Sequence, residues 1–516
     1  MTSLTVKHAV PILMNCLEVT LSITTLNGLA ALMFPGLNNN AVKSCRRCIH
    51  SAIKVSGYKL PSGRVTINCQ YKEISLFGEH LNLLIAICLI AENESLNLRP
   101  IIQNECLVVG NLDINGTLLE TKSITAIIEW AEKRGYKRII LPNANLEEAT
   151  IAASTISPAG ADCLRDVHNL LKNYNKYWPP KSLPKKQISK LTNQSLWQEL
   201  FKTIDNRLVI LGIIVALITR EHCLIIGTPG LGKSLLLEQI SMLMPTLTND
   251  ELAELGKVRS AYGAFSNSIN RPCNFWRVNL ETKELMGDKQ NPFGMFSRNH
   301  LGSIMIDELT ELNILQLKIL RELLTAENII LQNPVTKELA SLPAECQFWA
   351  AMNPCPCGYH NHPDILCKCT SLTLQKFSTR MSANFLERFS IILRPEQKEQ
   401  LSLHEEDELN KAIALDKKFS SRLNSVYKAY KKHFKNLSTT SIKKLTAKNL
   451  LQNYLKLEPK AQIKLNEYTR TNLRITTQLL RISYAIALLC CNKNITTTHL
   501  ELANRVIGGI HKEFCN

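Results

Sequence analysis

At residues 227–234 the chain reads Gly227-Thr228-Pro229-Gly230-Leu231-Gly232-Lys233-Ser234. The apolar run Cys223-Leu224-Ile225-Ile226 precedes this stretch, and Leu235-Leu236-Leu237-Glu238-Gln239-Ile240 follows it. A buried strand, a glycine loop and a helix therefore occur in the order that a phosphate-binding loop of the pattern G-x-x-x-x-G-K-[ST] requires. The alternative, an ordinary glycine turn, leaves the strand before it and the helix after it unexplained. We predict a P-loop and an α/β core around it.

The glycines let the backbone of this loop turn tightly, so that consecutive N–H groups point at phosphate oxygens beside the positive end of the helix. We expect residues 227–234 to surround the phosphates of a bound ATP. In this pattern the lysine reaches the β- and γ-phosphates and the hydroxyl holds Mg²⁺. These roles fall to Lys233 and Ser234.

Two carboxylates follow a second apolar run, Ser303-Ile304-Met305-Ile306-Asp307-Glu308. Paired acids at the carboxyl end of a buried strand suit phosphoryl transfer, because one anchors the Mg²⁺ shell while the other orients and deprotonates the attacking water. We assign Asp307 to the metal and Glu308 to the water; the alternative is a solvated acidic turn. A third run, Gln347–Met352, ends at Asn353, whose amide can sense the γ-phosphate or position water.

The composition sets limits on the whole chain. A length of 516 residues predicts about two to four domains, and 45% hydrophobic residues indicate a globular protein. The formal net charge of +17 favours a polyanionic partner such as nucleic acid. Seventeen cysteines without a secretory leader indicate reduced thiols or metal ligands, and no run approaches the roughly twenty apolar residues of a membrane span. We therefore expect a cytoplasmic protein with no membrane partner.

Residues 1–170 alternate between strand and helix patterns. Strands are predicted at 16–23, 64–68, 106–110 and 138–142, and helices at 42–56, 81–91 and 123–133. An α/β domain with one mixed sheet is the simplest assembly. Residues 171–195 combine lysines, prolines and aromatic residues, which predicts a semi-extended connector. The alternative is a strip that binds one nucleic-acid strand, with bases stacked on Tyr174, Tyr177 and Trp178.

Several segments resemble the magnesium-chelatase-like ComM/YifB family of AAA+ ATPases. They are Pro35-Gly36-Leu37, Ala41-Val42-Lys43-Ser44, Ser56-Gly57-Tyr58, Leu342-Pro343-Ala344 and Ala350-Ala351-Met352-Asn353-Pro354-Cys355-Pro356-Cys357-Gly358. The resemblance implies an α/β multidomain protein: a domain of the Lon protease catalytic fold at 1–170, a P-loop AAA+ core at 196–397 and a helical lid at 398–516. At 271–278 the family's R-P-F-R-x-P-H-H is replaced by Arg271-Pro272-Cys273-Asn274-Phe275-Trp276-Arg277-Val278, a segment that we expect at a ring pore or insertion hairpin.

A Lon-type protease needs a serine nucleophile with a lysine close enough to deprotonate it. Where the resemblance would place the serine, the chain has His80-Leu81-Asn82-Leu83-Leu84, which contains no hydroxyl. Lys122 and Ser123 lie near the corresponding lysine region but make no dyad without the nucleophile. We do not expect proteolysis.

Two arginines take their roles from the resemblance. Phe385-Leu386-Glu387-Arg388-Phe389 is similar to the family's L-[LM]-[DE]-R-[IF], whose arginine reaches a neighbouring subunit's nucleotide as an arginine finger. The alternative for Arg388 is a surface salt bridge. Residues 472–483 resemble the sensor 2 helix of magnesium chelatases, which places Arg474 on nucleotide phosphate and Arg481 nearby in a structural or supporting role.

A cysteine-rich loop spans residues 355–369. Cys355, Cys357, Cys367 and Cys369 form two C-x-C pairs around a short segment with His360 and His362. Four thiolates within one loop can close a tetrahedral structural zinc site. The alternative is four reduced thiols without metal, and the histidines are at most spare ligands.

The lid contains a basic stretch of seven lysines: Lys428, Lys431, Lys432, Lys435, Lys443, Lys444 and Lys448. Such a stretch is either a solvated helix face or a nucleic-acid contact. The resemblance implies that ATP binds between subunits of a ring homo-oligomer, which we expect to be a hexamer. The family's competence member is a DNA branch-migration helicase of recombination in natural transformation, and the basic charge agrees with a DNA substrate. A metal-chelatase-type motor and a protein-remodelling ATPase are the alternatives.

Overall fold

The computed structural model describes residues 2–29, 31–35, 39–69, 80–93, 98–179, 194–332, 339–362, 364–397, 400–414, 418–434, 437–468 and 473–507. The chain divides into two compact units. The first unit contains Met1–Gln187, Ala253–Asn267 and Gln332–Leu339, and the second contains Ile188–Leu252, Ser268–Leu331 and Ala340–Asn516. None of the helices in the described ranges has the length and apolarity to cross a bilayer.

The first unit alternates strands and helices. Its strands are β1 Thr2–Ile12, β2 Asn15–Leu26, β3 Ala31–Met33, β4 Arg64–Cys69, β5 Cys106–Val108, β6 Asn111–Leu112, β7 Leu118–Leu119, β8 Arg138–Pro142 and β9 Ser157–Ala161. Its helices are α1 Asn39–Val55, α2 Asn82–Asn93, α3 Ile124–Lys133, α4 Leu146–Ala152 and α5 Leu164–Lys172, with a π-helix at Ile101–Glu105 and a 3₁₀ turn at Asn143–Asn145. The predicted strands and helices of this region are confirmed.

The single mixed sheet predicted for the first unit is wrong. One sheet has the order β1-β2-β4-β3, with antiparallel β1/β2 and β2/β4 and parallel β3/β4. A separate three-stranded sheet, β5-β8-β9, is entirely parallel, and β6 and β7 form a small hairpin. The edge strand β1 was not predicted, because its buried face of Leu4, Val6 and Val10 is interrupted by a buried His8.

Among the described residues around the family's serine position, no serine lies beside a lysine as a dyad requires. The segment at the family's serine position is the buried start of α2, where Leu81, Asn82, Leu83 and Leu84 are all at most 4% exposed. The Ser123 hydroxyl donates a hydrogen bond to the Leu13 carbonyl (3.0 Å).

Two aromatic residues of the predicted connector belong to the packed first unit. Tyr174 is 4% exposed, and Trp178 packs against the same hydrophobic core. The Arg138 guanidinium lies over both rings, 4.1 Å from the centroid of Tyr174 and 4.7 Å from that of Trp178. Tyr174 and Trp178 are therefore not free to stack on nucleic-acid bases. Residues 180–193 of the predicted connector lie outside the described residues.

The second unit contains a P-loop sheet and a set of mostly helical segments. Its strands are β10 Cys223–Ile226, β11 Cys273–Phe275, β12 Ser303–Ile306, β13 Asn328–Gln332, β14 Leu339–Pro343, β15 Gln347–Met352 and β16 Ile391–Leu393. The helices up to β16 are α6 Gln194–Thr203, α7 Arg207–Thr219, α8 Lys233–Met242, α9 Asn249–Tyr262, α10 Thr282–Met286, α11 Met295–Arg298, α12 Ile314–Leu323, α13 Ser371–Arg380 and α14 Ala383–Leu386. A 3₁₀ turn spans Leu309–Glu311, and α9 contributes residues to both units.

The helices after β16 are α15 Leu403–Ile413, α16 Phe419–His433, α17 Thr439–Lys443, α18 Ala447–Asn453, α19 Pro459–Tyr468, α20 Leu473–Leu489 and α21 Thr497–Ile507. Helices α6 and α7 are separate, and the Asn206 side chain caps α7 by accepting a hydrogen bond from the Leu208 N–H. Helices α15 and α16 are also separate elements.

The main sheet of the second unit has the order β11-β12-β15-β10-β16, and all of its pairings are parallel. Strands β10, β12, β15 and β16 are buried along their whole length. Residues that follow these strands consequently meet at one edge of the sheet, which we call the carboxyl edge. Residues that precede the strands meet at the opposite edge, the amino edge.

Candidate nucleotide site

The P-loop joins β10 to α8 at the carboxyl edge of the sheet. Gly230 and Gly232 have φ angles of +84° and +75°, a backbone conformation that residues with side chains rarely adopt. Gly232 directly precedes α8, so the unpaired N–H groups at the start of that helix lie beside the loop. The local backbone therefore has the features of an anion-binding turn.

The ammonium group of Lys233 contacts the end of β15. Its Nζ donates hydrogen bonds to the backbone oxygens of Gly227 (3.0 Å) and Thr228 (2.7 Å) and to Oδ1 of Asn353 (2.8 Å). An ammonium group has three N–H donors, so these bonds use its full capacity. The structure thus brings together Lys233 and Asn353, which were predicted from separate stretches of sequence.

Asp307 and Glu308 follow β12 at the same carboxyl edge. Strand β15 pairs in parallel with both β10 and β12, so the ends of all three strands are adjacent. Burial lowers the pKa of Lys233, and the charges of Asp307, Glu396 and Glu308 oppose that shift. Glu308 is exposed and has a φ of +58°, which is uncommon for a residue other than glycine. The predicted lysine, amide and acid pair therefore share one edge.

Glu396 contributes to this edge without having been predicted. It follows β16, and its Oε1 accepts a hydrogen bond from the Thr228 hydroxyl of the P-loop. No local motif marks this glutamate, because the contact joins residues 168 positions apart in the sequence.

Arg388 and Arg474 lie at the amino edge, opposite the P-loop. Arg388 precedes β16, and its Nη1 donates to the backbone oxygen of Arg321. Burial and the charge of Arg388 lower the pKa of Arg474, and Glu221, the residue just before His222 and β10, opposes this shift. A four-residue strand such as β10 spans roughly 13 Å. The depth of the sheet therefore separates both arginines from Lys233 of their own chain.

Arg481 forms a buried ion pair with Glu221 at the amino edge. Its Nη2 and Nε atoms lie 2.8 and 2.9 Å from Oε1 of Glu221. The Ser390 hydroxyl donates to the other carboxylate oxygen (2.6 Å), and Nζ of Lys443 lies 3.9 Å from it. Burial alone would raise the pKa of Glu221, but the charges of Arg481 and Lys443 lower it to about 2. This network attaches α20 to the sheet.

Replacement of Glu221 by Gln is expected to lower the free energy of unfolding by about 3–5 kcal/mol at neutral pH, because a buried ion pair loses one partner. The matched control is Glu327→Gln, which removes the partly exposed ion pair with Lys444 (2.7 Å). The control substitution should lower the free energy of unfolding by about 1 kcal/mol or less. Urea denaturation followed by circular dichroism measures both variants, and equal losses would contradict the assignment.

The Glu221 network also predicts acid sensitivity. The pKa of Glu221 in the folded protein, about 2, lies below the value of about 4.3 for an unfolded glutamate. The stability that the ionised form contributes is present above the unfolded pKa and is lost as the pH falls toward the folded pKa. Between about pH 5 and about pH 3, the wild-type protein should lose more unfolding free energy than Glu221→Gln. Parallel losses in the two proteins would show that another group dominates.

Arg271 lies in a second buried network, whereas Asn274, Phe275, Arg277 and Val278 of the same segment are exposed. Its Nη2 donates to Oε2 of Glu251 and to the Tyr427 hydroxyl, both at 2.7 Å. Of the two aromatic residues of this segment, Trp276 is buried, at 2% exposed, and Phe275 is 38% exposed. The burial of Arg271 could not be predicted, because the sequence of 271–278 does not show that a carboxylate on α9 and a tyrosine on α16 compensate the guanidinium. The expectation that the segment faces a ring pore or an insertion hairpin stays a prediction.

The basic stretch of the lid is only partly exposed. Lys431 is 4% exposed and donates to the Leu437 carbonyl (2.7 Å), while Lys443 and Lys444 lie beside Glu221 and Glu327. Lys431 is therefore not part of a solvated helix face, and Lys443 is only partly exposed. The exposed members in the described residues are Lys428, Lys432, Lys444 and Lys448, and Lys435 lies outside them.

The four cysteines of the 355–369 loop converge. Their Sγ atoms all lie within 4.8 Å of one another, with separations of 3.3 Å for Cys355–Cys357, 3.8 Å for Cys355–Cys367 and 3.5 Å for Cys357–Cys367. A tetrahedral zinc site with Zn–S bonds of about 2.3 Å places its sulfur atoms about 3.8 Å apart. A hydrogen bond from the backbone at Tyr359 lowers the pKa of Cys357 to about 6. The cluster can hold a metal ion.

The comparisons with known proteins agree with this architecture. The family model "Magnesium chelatase, subunit ChlI" matches residues 204–403, and "Subunit ChlI of Mg-chelatase" matches residues 21–145. The uncharacterized protein YifB of Escherichia coli (strain K12) is 30% identical over 401 residues, which cover 76% of each chain. The chain belongs to the magnesium-chelatase-like ComM/YifB family. Another ComM/YifB relative, the competence protein ComM of Haemophilus influenzae, is 26% identical over 377 residues and 72% of each chain.

Membership of the ComM/YifB family confirms the resemblance stated from the motifs. Together with the parallel P-loop sheet, it identifies an α/β multidomain protein of AAA+ type. The family suggests ATP and Mg²⁺ as ligands, and the residues at the carboxyl edge fit both. Lys233 supplies a cation for phosphate, and Ser234 and Asp307 supply the oxygen ligands that Mg²⁺ prefers.

Proposed function

We propose that this protein is an ATP-dependent ring motor that acts on DNA. The observation that carries the proposal is the contact of Lys233 with Asn353 at an edge that also holds Asp307 and Glu308. A cation, an amide and two carboxylates beside a P-loop are the groups that phosphoryl transfer to water needs. Their convergence from three separate strands is not explained by a simple glycine turn.

Each group at the carboxyl edge has a distinct role in the proposed hydrolysis. Lys233 exchanges the carbonyl oxygens of Gly227 and Thr228 for phosphate oxygens, which are stronger partners for an ammonium group. Ser234 and Asp307 hold Mg²⁺, which neutralises charge on the phosphates when it is bound. Glu308 orients the attacking water and accepts its proton, and Asn353 positions that water or senses the γ-phosphate.

The proposed site is completed by a second copy of the chain. Arg388 and Arg474 lie at the amino edge, so within one protomer they do not reach the phosphates held at the carboxyl edge. In a ring, the amino edge of one protomer can face the carboxyl edge of the next, which would place both arginines on the neighbour's nucleotide. We propose a hexameric ring in which Arg388 acts as the arginine finger and Arg474 as a second phosphate contact.

The proposed substrate is DNA. The net charge of +17 favours a polyanion, and a relative is named for competence. Branch migration of recombination intermediates is the activity that the family resemblance implies. We also propose that Cys355, Cys357, Cys367 and Cys369 hold one structural zinc ion, because their spacing fits a tetrahedron of thiolates.

The test of the DNA assignment is ATP turnover by the purified protein with forked, four-way and single-stranded DNA. We expect branched DNA to raise the turnover rate above both the DNA-free and single-stranded values, and Lys233→Ala to abolish turnover in every condition. An equal rate with and without DNA would contradict the DNA assignment and favour a protein-remodelling ATPase, while leaving the proposed hydrolytic site intact.

A further inference from the structure

The cysteine-rich loop lies against the P-loop. It begins immediately after the strand that carries Asn353, since only Pro354 separates that amide from Cys355. Gly358 is the contact point: a Cβ at this position would lie 2.4 Å from Cδ and 2.5 Å from Cγ of Pro229, the third residue of the P-loop. The proline ring is fixed to the backbone, so a displacement of Gly358 toward Pro229 would have to move the P-loop.

The conformation at Gly358 also requires glycine. Its φ is +87°, and its N–H donates to the Cys355 carbonyl (2.9 Å), which closes a tight turn around the sulfur cluster. The residues that follow, His360, Asn361 and His362, line a cavity of about 540 Å³ together with Gly227 and Thr228 of the P-loop. The loop therefore forms a wall of the space directly beside the phosphate-binding turn.

Little else in the loop can fix its shape. Of residues 355–369 in the described chain, only Cys355 and Gly358 are buried, whereas Leu366 is 88% exposed. The following helix, α13, has no buried residue. A segment without a hydrophobic core of its own depends on metal–thiolate bonds for its folded shape, because the binding free energy of a structural metal is then folding free energy.

We propose that metal bound to Cys355, Cys357, Cys367 and Cys369 holds Gly358 against Pro229, so that metal and nucleotide bind cooperatively. This inference rests on the proposed nucleotide and zinc sites. The metal favours the loop conformation that supports the P-loop, and nucleotide binding to the P-loop favours the same conformation. By thermodynamic linkage, each ligand raises the affinity for the other by the same factor.

The experiment measures binding of a fluorescent ATP analogue with Mg²⁺ to the full-length protein, alongside its zinc content. We expect about one zinc per chain, and removal of zinc by a chelator should raise the Kd for the analogue about 5- to 150-fold. Restored zinc should restore the original Kd. Circular dichroism and the melting temperature establish whether the metal-free protein is still folded.

Gly358→Ala separates the mechanical contact from the metal itself. This variant keeps all four thiols and should keep its zinc, yet its Kd for the analogue should rise at least about fivefold. The control is Gly135→Ala, which has a comparable φ of +81° but no atom within 4 Å of the added Cβ. Its Kd should equal that of the wild type. Cys367→Ser should lose zinc, and Cys491→Ser, which changes an exposed thiol outside the loop, should keep it.

The reciprocal arm uses competition between the protein and a chromogenic zinc chelator. A non-hydrolysable ATP analogue should raise the zinc affinity of the wild type by the same factor by which zinc raises its affinity for the nucleotide analogue. The zinc affinity of Lys233→Ala should not change when the analogue is added. A wild type that binds both ligands, but whose nucleotide Kd is unchanged by chelation and by Gly358→Ala, would overturn the coupling and leave the proposed function standing. A wild type that binds no nucleotide would refute the proposed function itself, and one that binds no zinc would refute the metal site.

Discussion

Glu308→Gln is expected to bind ATP with wild-type affinity and to turn it over about a hundred times more slowly or worse. A positioned general base contributes about 10²- to 10⁴-fold to a rate, and a glutamine amide does not accept the proton of the attacking water. Binding should persist, because Lys233 and the P-loop are unchanged in this variant. Phosphate release under saturating ATP and titration with a fluorescent ATP analogue measure the two properties separately.

The control for Glu308→Gln is Glu311→Gln. Glu311 is an exposed carboxylate on the 3₁₀ turn that follows Glu308, so it tests whether any acid near β12 is sufficient. Its replacement should leave the turnover rate unchanged. Wild-type turnover in Glu308→Gln would refute the base assignment, and a loss of ATP binding would show that Glu308 acts instead through the structure of the P-loop.

Arg388→Ala is expected to abolish turnover when assayed alone and to recover activity when mixed with Glu308→Gln. An arginine finger contributes about 10³- to 10⁵-fold to the rate of nucleotide hydrolysis. Because Arg388 lies at the amino edge and Glu308 at the carboxyl edge, each variant retains the half of the site that the other lacks. In random mixed rings roughly a quarter of the interfaces combine two intact halves.

The mixing experiment requires subunit exchange before the turnover assay. Arg46→Ala, which removes an exposed arginine in the first unit, serves as the control: it should turn over ATP at the wild-type rate alone, and mixing with Glu308→Gln should not raise the turnover per Arg46→Ala chain. A mixture no more active than its two components would contradict a site shared between protomers. Activity of Arg388→Ala alone at the wild-type level would remove the arginine finger altogether.

The sequence was sufficient to predict the carboxyl edge of the main sheet. Gly227, Asp307 and Asn353 each follow an apolar run, and the carboxyl ends of parallel strands necessarily meet at one edge. The prediction needed only local patterns and this rule of topology. The contact of Lys233 with Asn353 is its direct consequence.

Features that depend on pairing distant residues could not be predicted in the same way. The burial of Arg271 depends on Glu251 and Tyr427, and the burial of Lys431 depends on the same glutamate, 3.8 Å away. A local sequence pattern assigns a charged side chain to the surface, because burying the charge is tolerated only beside a partner that compensates it. Here the partners are distant in the sequence. Tyr174 was likewise assigned to a connector because Arg138, which stacks on it, lies 36 residues earlier.

In the cysteine-rich loop, too, a contact between residues that are distant in the sequence could not be predicted. The C-x-C spacing was enough to suggest that the four sulfur atoms converge, because all of them belong to one short segment. The contact of Gly358 with Pro229 was not visible in the sequence. It arises because β15 lies beside β10, which brings the residues after one strand over the loop after the other.

The most direct test of a nucleotide site shared between protomers is ATP turnover per chain as the protein is diluted, with the mass of the assembly measured at each concentration. The account predicts that turnover per chain falls together with the fraction of multimer, to about a thousandth or less in the monomer, because the arginine of the neighbour is lost. Undiminished turnover by single chains would contradict it.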